Sequence, residues 1–185
     1  MNSKSIILKT AALAFLFSLA ACSNSSESQN KEEADEKASR APSTSQALSA
    51  GNVKFNDDKL NAIYPWYLEL QEALVVEDFS AAKKAAFAIE EGSRQLNSSS
   101  EMLTTASEIV EASDIVRQRE LFQTLTAEMI AQVKSSGLQS GEVFIAHCPM
   151  AFDNTGADWL SSTKEIRNPY YGDEMLTCGS VKETI

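Results

Sequence analysis

The chain has 185 residues and carries 16 Lys and Arg against 26 Asp and Glu, a formal net charge of −10. That length serves one compact domain once a leader and a linker are set aside, and is too short for two substantial cores. The acidic balance excludes a nucleic-acid partner, which needs clustered Lys and Arg to displace phosphate counterions; most of this charge reads as solvated surface.

The N-terminus reads as an address. Lys4 and Lys9 flank the start of an apolar run, Ile6, Ile7 and Leu8 and then Ala11 to Ala21, which closes in Leu19-Ala20-Ala21-Cys22. A positive start, a short apolar stretch and small residues before the cut site predict a signal peptide over residues 1–21. Leu-Ala-Ala-Cys resembles the bacterial lipobox, which makes Cys22 the lipid anchor to the membrane. The alternative is an ordinary signal peptide cut near Ala21, leaving a soluble periplasmic protein with a spare thiol. Ser23 and Asn24 lack the aspartate that often retains lipoproteins in the inner membrane, so the expected location is the outer membrane, facing the periplasm. Residues 22–50 are Ser, Asn, Glu, Lys and Ala with almost nothing apolar, the composition of a disordered tether.

A single domain is expected over residues 51–185. Leu60, Ile63, Tyr67, Leu70 and Leu74 recur at steps of three and four, one stripe of a helix that Pro65 either starts or kinks. Trp66 and Tyr67 are expected in its core. Asp78 is placed to cap a second helix carrying Phe79, Ala82, Ala86 and Ile89 inward. Ser98 and Glu101 form a capping-box pattern for a third, with Met102, Ala106 and Ile109 inward. Ser113-Asp114 offers a cap for a fourth, running through Phe122, Leu125, Met129 and Val133 to a terminal glycine at Gly137. Met102 and Met129 lie on apolar stripes and are read as packing residues. The expected fold is therefore mainly α, an antiparallel bundle of about four helices with a C-terminal strand-and-loop tail.

The tail begins where the period changes to two. Glu142 to Cys148 predicts a strand leading into Cys148-Pro149-Met150. Asp153 to Asp158 reads as a turn, because the ligand series of a calcium loop is incomplete. Trp159, Leu160 and Ile166 are expected to pack the tail on the bundle, and Asn168-Pro169-Tyr170-Tyr171-Gly172 leads to Met175-Leu176-Thr177-Cys178.

Cys148, Met150, Met175 and Cys178, with His147 as a possible fifth, are soft or borderline ligands in a chain with 3 Cys, 5 Met and 1 His. Thioethers favour Cu(I) and Ag(I) over zinc, magnesium or calcium. Pro149 presets the relative direction of Cys148 and Met150, and the three-residue spacing lets Met175 and Cys178 share one side of a turn. His147 and Cys148 are neighbours on a strand and point to opposite faces, so they form no nucleophile dyad. With no triad, phosphate loop or His-Glu zinc motif, the chain is not expected to be an enzyme.

The run from Ile145 through Cys148-Pro149-Met150, Gly156 to Ser161 and Glu165 to Gly172 to Cys178-Gly179, and more loosely the helices from about Tyr64, resembles a bacterial envelope domain family of unknown function. That family occurs in lipoproteins and fused to periplasmic adaptor subunits of heavy-metal efflux systems. The resemblance implies copper(I) or silver capture, buffering or delivery to an efflux-pump adaptor, with the four sulfur residues carried over directly. Two other readings stand beside it. In one, Cys148 and Cys178 form a disulfide in an oxidising compartment and the domain is a metal-free interaction module of an efflux or sensing system. In the other, the site binds metal only when reduced.

Overall fold

Helix α1 (Asp58–Val75) starts at Asp57, whose carboxylate accepts hydrogen bonds from the backbone N–H groups of Lys59 and Leu60. In this computed structural model residues 53–95 and 100–185 are described, and all fall within the unit Pro42–Ile185. The expected signal peptide, the lipid-anchor cysteine Cys22, the tether and Ser98 of the capping box lie outside the described residues. Pro65 neither starts nor ends α1: the helix runs through it. The ring sits on the exposed side, and the capped first turn with buried Leu60, Ile63 and Tyr64 holds the helix across the missing donor.

Asp78 caps α2 (Phe79–Ser93) by accepting from the Ala81 N–H at 2.8 Å. Helix α3 (Ser100–Glu111) is followed by Asp114, which caps α4 (Ile115–Ser136) by accepting from the Arg117 N–H at 2.9 Å. Gly137 ends α4 with φ +71° and donates to the Val133 carbonyl, the expected glycine stop. The fold is mainly α, as expected: each helix packs on the next in sequence and α1 also meets α4. Met102 and Met129 are fully buried in the common core. Trp66 is a correction, since it is 46% exposed while its neighbour Tyr67 is buried. Adjacent residues on a helix lie about 100° apart, and the stripe through Ile63, Tyr67 and Leu74 turns Trp66 outward.

The expected C-terminal strand-and-loop tail is present, with its strands paired into sheets. Strands β1 (Lys54–Phe55) and β2 (Leu138–Ser140) pair antiparallel beside the bundle. β3 (Phe144–Cys148) is the centre of a second sheet, between β4 (Ala157–Ser161) and β5 (Ser180–Thr184), both antiparallel to it. The expected turn over residues 153–158 is a short helical segment α5 (Ala151–Asn154) followed by the start of β4. Phe152, Asp153 and Asn154 all have positive φ there, which reverses the chain between β3 and β4.

β4 packs on α4, and the Tyr67 hydroxyl ties three elements by contacting Thr126 Oγ1 at 2.8 Å and accepting from the Leu160 N–H at 3.0 Å. Trp159 and Leu160 are fully buried, as the sequence predicts. No helix among the described residues is long and apolar enough to cross a membrane.

Candidate functional site

Cys148 is the last residue of β3, fully buried opposite Ala157 of β4. Cys178 reaches it from thirty residues further along the chain, with the two Sγ atoms 2.8 Å apart. Both are free thiols. The approach to Cys178 is fixed by Asn168, itself fully buried: its side-chain amide donates to the Cys178 carbonyl at 2.9 Å, and its backbone N–H donates to the Leu176 carbonyl. Arg167 anchors this loop to the bundle through an ion pair with Glu72 of α1. Gly179 follows Cys178 with φ +133°, where a Cβ would stand 2.8 Å from the His147 carbonyl oxygen and from the Trp159 ring. Only glycine lets the chain pass this close to β3 and turn into β5.

The two methionines of the predicted set meet Cys178 through their backbones. The Met150 N–H donates to Cys178 Sγ, and the Cys178 N–H donates to the Met175 carbonyl at 2.9 Å. Met150 is 45% exposed and Met175 half-buried. The structure therefore brings the two thiols together from two segments, with the backbones of Met150 and Met175 beside Cys178. The thiol pair itself is closer than two ligands of one ion: thiolates held at about 2.3 Å from a tetrahedral metal stand about 3.8 Å apart. To admit an ion the sulfurs must separate by about 1 Å. Among the described residues, no group of three or more His, Cys, Asp and Glu is arranged to hold a metal. A metal here relies on the thioethers for its remaining ligands.

Sharing a hydrogen bond with Cys148 raises the Cys178 thiol above its ordinary pKa, burial and the charge of a Cys148 thiolate add to this, and the Met150 N–H opposes it. The raised value disfavours the Cys178 thiolate, the form that takes part in exchange.

His147 does not join the sulfur atoms. Its Nδ1 lies 2.6 Å from Asp158 Oδ1, directly across the β3–β4 pair, and Lys182 of β5 meets the other Asp158 oxygen at 2.9 Å. These three side chains line a hollow of about 210 Å³ with Gln123 and Thr126 of α4, on the side of β3 opposite Cys148. Sequence reasoning missed Asp158 and Lys182, because their meeting depends on strand register. The alternation of Ala157, Asp158 and Trp159 after Gly156 was the available signal for a strand there.

Residues 63–141 match the family described as a protein of unknown function, DUF3347. The DUF3347 match begins inside α1 and ends after β2, so it covers the helices and stops before β3. The similarity therefore rests on the bundle, whereas the Cys and Met motifs stand outside the matched residues. No curated protein and no solved structure matches the chain.

Proposed function

We propose that this domain is a metal-free interaction module of the bacterial envelope, a helical bundle whose C-terminal sheet is fastened by a Cys148–Cys178 disulfide. The observation that carries this reading is the 2.8 Å approach of the two sulfurs, held from both sides by Asn168, Gly179 and β3. Disulfides persist in oxidising compartments, and the expected signal peptide sends the chain to one. Lipid anchoring through Cys22 at the outer membrane would present the bundle to the periplasm. The exposed apolar side chains Trp66 and Phe87 offer contact area on the helices for an efflux adaptor or sensor. The reading assigns the domain no reaction of its own.

The second reading is capture of copper(I), with silver as the related ion, by the reduced pair together with Met150 and Met175. Its support is the place of Met150 and Met175 in the backbone next to Cys178 and the resemblance to envelope domains linked to heavy-metal efflux. Native mass spectrometry of the protein purified anaerobically without added reductant, so that its redox state in the cell is kept, and exposed to one equivalent of Cu(I) separates the two. The interaction reading predicts no retained copper. One copper retained by that protein, and lost on Met150→Leu with Met175→Leu, would put the metal reading first.

A further inference from the structure

The two thiols differ in access. Cys148 is fully buried within the sheet, whereas Cys178 is half-buried and its backbone neighbour Met150 is exposed. The Tyr171 hydroxyl donates to the Met150 carbonyl at 2.7 Å, which fixes that backbone beside Cys178 Sγ. An incoming disulfide has to line up three sulfur atoms, and Cys148 offers it no surface for that approach.

We infer that the pair closes by thiol–disulfide exchange with an external disulfide, entered at Cys178 and resolved by Cys148. The inference rests on the stapled reading above and adds its chemistry and direction. The Cys178 thiolate attacks one sulfur of the external disulfide; that S–S bond breaks, one thiolate leaves, and Cys178 carries a mixed disulfide. Cys148, whose sulfur lies 2.8 Å from that of Cys178, then loses its proton and attacks the Cys178 sulfur. The internal bond forms and the second thiolate is expelled. The protein gives up two electrons and two protons, and the external disulfide is reduced to two thiols. Asn168 and Gly179 fix the Cys178 backbone throughout, so the adduct occupies the exposed part of Cys178 and the resolving thiol stays in reach.

The test uses the full chain, reduced and freed of reductant, with oxidised glutathione as the probe. The wild type, Cys148→Ser and Cys178→Ser are sampled over time, quenched with acid and mapped by peptide mass spectrometry, which reads Cys22 separately. The expected result is a lasting glutathione adduct on Cys178 in Cys148→Ser, and a transient one on Cys178 in the wild type that gives way to the Cys148–Cys178 bond. Cys178→Ser should react at Cys148 at least about 50-fold more slowly, because that thiol is reached only through local opening. Should a substitution loosen the fold, a brief pulse of N-ethylmaleimide on the reduced wild type gives the same ranking, with the first label on Cys178. First labelling of Cys148, or equal labelling of both, overturns the entry order while leaving the staple intact. A wild type that keeps glutathione on Cys178 and never forms the internal bond overturns the staple as well.

Discussion

At the scale of single residues, the chemistry is concentrated in Cys178 and the atoms that touch it. Its thiol is raised chiefly by the hydrogen bond it shares with Cys148, so the rate of its alkylation by iodoacetamide should climb with pH to a midpoint above that of an ordinary thiol. Removing the partner sulfur in Cys148→Ala takes away that cause, and the midpoint should fall; an unchanged midpoint would mean the thiols do not share a proton. Gly179→Ala places a methyl group against the His147 carbonyl and Trp159 at a positive φ, and should cost about 1–3 kcal/mol in urea unfolding. That Cys148 and Cys178 could meet was legible in the sequence, because sulfur is scarce in this chain and concentrated in its tail. The roles of Asn168, Asp158 and Gly179 were not, because each acts on a residue that is near only after folding. Trp66 shows the converse limit: an aromatic one position off the apolar stripe reads as core by type and is exposed by angle.

Among the elements, the helices announced themselves through period and caps. Asp78 and Asp114 were both identifiable as caps, and both accept backbone hydrogen bonds at the predicted helix starts. Asp78→Ala should lower stability by about 1 kcal/mol through loss of that cap. The Asp114 carboxyl is held below its ordinary value of 3.8, first by the Arg117 N–H and then by the Ser113 hydroxyl. A lowered folded pKa contributes stability that is fully present above the unfolded value and disappears as pH falls through the folded one. Urea unfolding of Asp114→Asn, which keeps a capping oxygen, should therefore show a weaker decline than the wild type below about pH 4. The strands were less legible. β3 has alternation and branched residues, but β4 follows a left-handed reversal, while β5, Ser180–Thr184, is exposed along its whole length and apolar only at Val181. Such strands are specified by their pairing with β3 and not by local propensity.

Across the whole molecule, sequence similarity and chemistry fall on different parts. The DUF3347 match lies on the bundle, and the thiol pair joins β3 of the sheet that follows it to the loop before β5. Tyr67, Arg167 and Arg119 couple the two by reaching from α1 to β4, from the tail loop to α1, and from α4 to the Pro169 carbonyl. Closing the thirty-residue separation between Cys148 and Cys178 should stabilise the domain by about 3–4 kcal/mol relative to its reduced form, measured by urea unfolding with and without dithiothreitol. A smaller gain would mean that Asn168 and the sheet already hold the tail without the bond.

The measurement that bears most directly on the stapled module is a non-reducing peptide map of the protein taken from its native cells, with free thiols alkylated at the moment of lysis. A stapled module gives a single linked species joining the peptides that contain Cys148 and Cys178. Recovery of both cysteines carrying the alkyl label would contradict it, and would leave the reduced Cys and Met cluster as the form that acts in the cell.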